Sequence, residues 1–423
     1  MLKDFLKRRV YNATGLLPLL FLLAACSALK PVDKVDRWEA YLYDVQRTNH
    51  AQAGLPVPLK TSWTRDISPF IILHRYPEEQ ASSPVLSGGA LFIGSVNGRF
   101  YAFDARSGSL LWKFDSGYPV EAAAASEDGA VCFGSSGGVL RCLKAEDGTL
   151  VWIYQMKSEI TSSPLIKDGR IYVSSADDRL TALDLKTGER IWSYSRSTFA
   201  SVAPRIKASP ALSPAMDAIY QLFSDGSLVG LSMSTGKELW SQKVVKGFNS
   251  PNAARRTPLV SGGTVYIIAD NGAVMSFNAG DGKVKGIYST IKAVDFIVHD
   301  DKILVMAGTD DAVAIDISTG ALLWKQGLRY GPASSVFAAD ERLFVVANHT
   351  HAPLGINFLA STKAYIQALN LKSGEFEWGA KIGSSTAGGN ASAAAERAAL
   401  LLNDGRLVVL APETGMPLPG RGD

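Results

Sequence analysis

The feature that most constrains this chain is a pentad that begins with Gly and ends with Trp and recurs along most of its length. Gly108 to Trp112, Gly148 to Trp152, Gly188 to Trp192, Gly236 to Trp240, Gly320 to Trp324 and Gly374 to Trp378 account for six of the eight tryptophans. Two degenerate copies extend the series: Gly282-Lys283-Val284-Lys285-Gly286, which lacks the Trp, and Gly415-Met416-Pro417-Leu418-Pro419. The period is about 44 residues, a length at which each unit is one small supersecondary structure that must stack on its neighbours to bury its faces.

The interior of the unit repeats as well. Ala102-Phe103-Asp104-Ala105-Arg106-Ser107 corresponds to Ala182-Leu183-Asp184-Leu185-Lys186-Thr187, and to the stretches starting at Ala314 and Ala368. An Asp or Asn two or three residues before Ser/Thr-Gly is turn chemistry, with a side-chain acceptor for nearby N–H groups and a Gly that tolerates positive φ. Upstream lie an apolar strand and a tight turn such as Asn97-Gly98, Asp177-Asp178, Asp225-Gly226 or Asn271-Gly272. A Ser/Thr-Pro commonly opens the unit, at Ser83, Ser163, Ser209 and Thr257. Apolar residues alternate or run continuously, as in Arg170-Ile171-Tyr172-Val173, and the repeat region has no long 3.6-period segment.

Four short strands per unit is the arithmetic of a propeller blade. The expected fold is all-β: an eight-bladed β-propeller of four-stranded antiparallel blades. A lone Trp strand, Leu59-Lys60-Thr61-Ser62-Trp63-Thr64, precedes the first full unit, and the last unit, ending near Leu410, lacks a Trp strand of its own. The N-terminal strand is therefore expected to close the ring. Seven blades remain open if one degenerate unit is not a blade.

The N-terminus reads as an export signal. Lys3, Lys7, Arg8 and Arg9, with Asp4, precede an apolar run from Leu16 to Ala25 that is too short for a bilayer, which needs about 20 residues in a helix. The run ends in Leu23-Ala24-Ala25-Cys26. The formal charge of +3 is matched by the +3 of that n-region (four bases less one acid), so the rest is near neutral and carries no nucleic-acid footprint. The domain expectation is a signal peptide over 1–25, a lipid-anchored tether over 26–57 and the propeller over 58–423. Trp38, Tyr41, Leu42 and Val45 fall at helical spacing and predict a short helix within the tether.

Cys132 and Cys142 flank Ser136-Gly137-Gly138 and count outward to opposite positions on two strands. They read either as a cross-strand disulfide, which an oxidising compartment permits, or as two small core residues. After Val346, Asn348 to Thr362 read as an insertion before the strand resumes at Ala364. It carries His349-Thr350-His351 and an apolar Ile356-Asn357-Phe358-Leu359, with no third metal ligand in evidence. No Gly-x-Ser-x-Gly elbow, Walker loop or dinucleotide fingerprint occurs.

The repeat Ala-x-Asp-x-x-Thr-Gly-x-x-x-Trp resembles the pyrroloquinoline-quinone (PQQ)-type propeller repeat. Trp38-x-x-Tyr41-x-x-Asp44-x-x-Arg47-Thr48 resembles the lead-in of that superfamily, and Leu23 to Cys26 resembles the bacterial lipobox. Lipobox and single propeller together resemble the BamB-like outer-membrane assembly lipoproteins. The resemblance implies lipidation at Cys26, with Ser27 favouring the outer membrane, lipid-anchored and facing the periplasm. It further implies a non-enzymatic scaffold without cofactor or metal, monomeric within a hetero-complex. Its partners would be the central β-barrel assembly protein and unfolded barrel precursors.

By that resemblance the partner-binding residues are Val202, Pro204 and Arg205 in one interblade loop, and Arg255 and Arg256 in the next. Pro204 stands where the family carries a second Leu. Ala253 and Arg255 stand where it carries two acids. Two other functions are compatible with a propeller of this repeat. A PQQ-dependent dehydrogenase would be expected to carry adjacent cysteines and a calcium cluster, neither of which is recognisable here. Another ligand-binding or envelope-complex propeller lipoprotein would suit the insertion.

Overall fold

Strands form where the repeat alternates and stop where it turns. In the unit over 165–195, Leu165–Lys167, Arg170–Ser175, Arg179–Asp184 and Arg190–Ser195 pair successively antiparallel. The computed structural model describes residues 38–51, 54–67, 82–196, 208–244, 256–352, 361–386, 391–394 and 396–413.

Eight such sheets follow one another around a ring, and in each we label the strands A to D from the axis outward. Blades 1 to 7 span 85–115, 125–155, 165–195, 211–243, 259–288, 295–327 and 333–384. Blade 8 takes its three inner strands from 391–412 and its outer strand from Leu59–Asp66, which runs antiparallel to Arg406–Pro412. The lone N-terminal Trp strand thus closes the ring as expected, and the indole-free unit over 259–288 is a full blade.

Strand B of blade 3 is buried at nearly every position because the neighbouring blades cover both of its faces. Strand D alternates, with Trp192 buried and its neighbours more exposed. The turn chemistry is as read. Asp184 Oδ1 accepts the N–H groups of Lys186 and Thr187 at 2.9 and 2.8 Å. Asp316 does the same for Ser318 and Thr319, and the Ser318 hydroxyl leads the bonds that hold its carboxyl down to about 2.

In six blades the outer-strand Trp serves the next blade. Trp152 Nε1 donates to the Leu185 carbonyl of blade 3 at 2.7 Å, and its ring covers Gly188, where a Cβ would lie 2.7 Å from the indole. Gly188 also has φ +73°, so both space and backbone require glycine there. Equivalent indole bonds run from Trp63, Trp112, Trp192, Trp240 and Trp324 to the following blade. Blade 5 has Gly286 in place of Trp. Accordingly Gly320 of blade 6 has nothing within 4 Å of a would-be Cβ, and Tyr288 Oη reaches the Ile317 carbonyl instead, at 3.3 Å.

The expected helix over Trp38 to Val45 is not formed, and 38–51 is not a tether. The segment winds across the axial end of the ring at the A–B turns, with Leu42, Tyr43, Arg47 and Asn49 at positive φ. Its backbone bonds Leu86 of blade 1, Ser126 of blade 2, Leu212 of blade 4, Val260 of blade 5 and Ala338 of blade 7. His50–Ala51 adds a short parallel strand to blade 7. Trp38 is buried against Phe337 and Leu86, whereas Val45 packs with the cluster of blades 3 and 4. Surrounded by strands, the segment must bury side chains in several directions, and the single stripe of an amphipathic helix cannot do that.

Arg47 is the centre of this plug. Fully buried, it donates to the carbonyls of Tyr41, Ser163, Pro164 and Pro210. Asp44 caps the same turn through Gln46 N–H, Thr48 N–H and the Thr48 hydroxyl.

The expected insertion at 348–362 is also different in form. Blade 7 continues its B and C strands as Arg342–His351 and Ser361–Asn370, paired out to His351 and Ser361. Only 353–360 lies outside the described residues there.

Candidate partner-binding face

The B–C turns and the connections from strand D to the next strand A share one end of the ring, opposite the plug. The extended hairpin of blade 7 projects from this same end, because it lengthens a B–C turn. Two of the interblade connections carry the partner-binding residues expected from the sequence. The first leaves blade 3 at Arg196 and re-enters at Ala208; the second leaves blade 4 at Val244 and re-enters at Arg256. Val202, Pro204, Arg205 and Arg255 lie outside the described residues, as does Cys26.

The bases of both connections are well defined. Arg196 Nε meets Asp225 Oδ2 at 2.7 Å, on the B–C turn of the following blade, and its Nη2 reaches the Ser227 hydroxyl. Tyr194 Oη donates to Glu238 Oε2 at 2.5 Å, and Arg196 Nη1 lies 3.7 Å from the same oxygen. Burial alone would raise Asp225, but the Ser227 bonds and Arg196 outweigh it and hold its carboxyl below the usual range. Burial would likewise lower Arg196, and Asp225 more than compensates.

The turn carrying Asp225 is held from two more sides. Asp178 of the blade 3 turn accepts from Ser224 N–H and Oγ at 3.1 and 2.8 Å. Lys243, at the end of strand D of blade 4, donates to the Asp225 carbonyl. Where the second connection returns, Arg256 pairs with Asp270 on the B–C turn of blade 5. Its side chain is 8% exposed and that of Asp270 is 40% exposed. Arg256 therefore faces into the chain.

The Ser/Thr-Pro openings form a girdle just below. Ser163 Oγ accepts from Ala123 N–H at 3.1 Å, Ser209 Oγ from Ser163 N–H at 2.9 Å, and Thr257 Oγ1 from Ser209 N–H at 3.2 Å. Each hydroxyl thus ties its blade to the preceding one.

Cys132 and Cys142 are buried and directly opposite in strands B and C of blade 2. Their Cα atoms are 4.1 Å apart and their sulfurs are paired. They lie within the blade, away from this face. His349 and His351 are exposed on the extended hairpin, His349 edge-on to Tyr365. Among the described residues no group of three or more His, Cys, Asp or Glu could hold a metal, and no helix is long and apolar enough to cross a membrane.

Sequence reasoning missed Arg196 and read Arg47 only as part of the lead-in motif, without its buried role. Asp225 was visible only as turn chemistry, and nothing in the chain order signals that Arg196, 29 positions earlier, would meet it.

The family described as Outer membrane protein assembly factor BamB matches residues 96–297 and 292–418. The chain belongs to that family. Likeness to individual BamB proteins is local. The one from Legionella pneumophila (strain Paris) is 30% identical over 82 residues, 19% of this chain and 21% of that protein. The one from Escherichia coli (strain K12) is 26% identical over 107 residues, 24% of this chain and 27% of that protein. The matches thus span about a fifth to a quarter of these BamB relatives.

The crystal structure of BamB from Moraxella catarrhalis superposes with TM-score 0.63 at 17% identity, covering 84% of this chain and 100% of that one. The quinohemoprotein alcohol dehydrogenase from Comamonas testosteroni superposes with TM-score 0.68 at 14% identity, covering 94% and 86%. The fold is therefore shared between the BamB family and a dehydrogenase, and function must be argued from the family match and the site.

Proposed function

We propose that this protein is a non-enzymatic scaffold of outer-membrane β-barrel assembly, lipidated at Cys26 and held at the outer membrane facing the periplasm. It docks through the connections after blades 3 and 4 onto the periplasmic part of the central barrel-assembly protein, and acts as one copy within that complex. Val202, Pro204, Arg205 and Arg255 make the contact, with Arg205 as the anchor, since Arg is enriched where binding energy concentrates. Unfolded barrel precursors are a second ligand, added as extended strands at exposed blade edges.

The observation that carries this reading is the match of the BamB family over 96–297 and 292–418, which includes both connections. Residues 38–51 close the end of the channel where the A–B turns converge, and leave the opposite end, with the connections, to a partner. The test is crosslinking and affinity purification of the tagged lipoprotein from solubilised envelopes, comparing wild type with Arg205→Glu. Recovery of the central assembly protein by wild type and its loss with the substitution support the scaffold and its site. Recovery of other envelope proteins without it refutes the assignment.

A further inference from the structure

Both partner connections are tied at one end to the B–C turn of the blade that follows them, by the same chemistry. Arg196 is the last described residue before the first connection, and Arg256 the first described residue after the second. Their acceptors lie on the same turn of successive blades at adjacent places: Asp225 directly precedes Gly226, and Asp270 stands two before Gly272. The pairs are not surface ornaments. The Arg196 and Asp225 side chains are 25% and 23% exposed, and Arg256 is nearly buried. Charge-assisted bonds at such sites are short and directional, and breaking one strands the partner.

We propose that Arg196–Asp225 and Arg256–Asp270 are positioning pairs that set the departure of the first partner connection and the return of the second. This rests on the partner reading above, but it concerns a property of the isolated chain. Arg256, expected from the sequence to touch the partner, acts through Asp270 instead. With both bases fixed to rigid turns, fewer conformations must be lost when the connections dock, which favours binding without adding a contact.

The experiment uses the full lipoprotein in detergent, wild type, Asp225→Asn and Asp270→Asn. Asparagine removes the charge in both, and at 225 it keeps the acceptor for Ser227 N–H, while in the blade 5 turn Asn271 already accepts from Ala273 N–H. Trypsin reads the two connections separately, at Arg205 and Lys207 in the first and at Lys246 and Arg255 in the second. Asp225→Asn is expected to speed cleavage of the first connection about fivefold or more and leave the second unchanged; Asp270→Asn is expected to do the reverse.

Asp225→Glu should restore slow cleavage. Equal acceleration at both connections, a fall in Tm that accounts for it, or no acceleration would each overturn the proposal. Binding to the purified periplasmic domains of the assembly protein is measured on the same samples, with a loss of about threefold to tenfold expected for each Asn variant. If wild type fails to bind, the partner reading falls while the cleavage pattern still decides the positioning pairs.

Discussion

Among the described residues, six of the eight junctions between blades are closed by an indole bond, whereas the blade 5 strand that meets blade 6 has no indole. At the junction of blades 2 and 3, Trp152 covers Gly188 and donates to the Leu185 carbonyl. Between blades 5 and 6 the pentad has Gly286, the space above Gly320 is open, and Tyr288 makes a longer bond to Ile317. The repeat is therefore a docking device between blades more than a device for building one. Blade 5 still forms four strands because its turns and alternation are intact; what it lacks is the plug for its neighbour. The N-terminal segment spans this same gap at the axis. The Gln46 carbonyl takes the Val260 N–H of blade 5, and the His50 ring lies 5.1 Å from His299 of blade 6.

The comparison breaks most sharply if the indoles are expendable. Trp192→Ala is expected to cost about 3–5 kcal/mol, the range for emptying a buried Trp site, read as a lowered urea midpoint. An unchanged midpoint would mean that the indoles do not hold the ring.

Glycine substitutions sharpen it. Gly320→Ala meets only the positive φ and should cost about 1–2 kcal/mol. Gly188→Ala adds overpacking against Trp152 and should cost a further ~1–3 kcal/mol. Equal effects at the two positions would refute the account of the pentad glycine.

Tyr288→Phe removes one hydrogen bond and should cost about 1 kcal/mol. A larger loss would show that this tyrosine does much of an indole's work at the weak junction.

The smallest effect expected depends on pH. Burial, with His299 nearby, lowers the His50 pKa below its ordinary 6.5, despite the Asp340 carbonyl bond and the charges of Asp300 and Asp340. The unfolded chain then binds the proton more readily. The contribution is fully present above 6.5 and is lost as the pH falls through the lowered value. His50→Gln should flatten that acid-side decline in the urea midpoint. An unchanged slope would remove His50 as its source.

Much of this molecule is legible residue by residue. Asp184, Thr187 and Gly188 specify their own turn through bonds within four residues, and the apolar run Ile171 to Val173 suits a strand covered on both faces. The period marks the blade unit, and the mismatch between a lone Trp63 strand and a last unit without one announces the closure. These readings succeed because turns and strands are decided by neighbours in sequence.

What lay beyond reach is where separate blades converge. The spacing of Trp38, Tyr41, Leu42 and Val45 suggested a helix, yet the surroundings supplied by the blades around the axis made it a plug around Arg47. Arg256 was expected to meet the partner, yet Asp270 is brought beside it, and Arg196 acquires Asp225 from the next blade. The sequence by itself determined the repeating blade, its turns and how the ring shuts, while the structure decided that the indole-free unit is an eighth full blade. Only the tertiary structure decided which charges are spent inside the chain, because burying a charge depends on partners that chain order does not bring together.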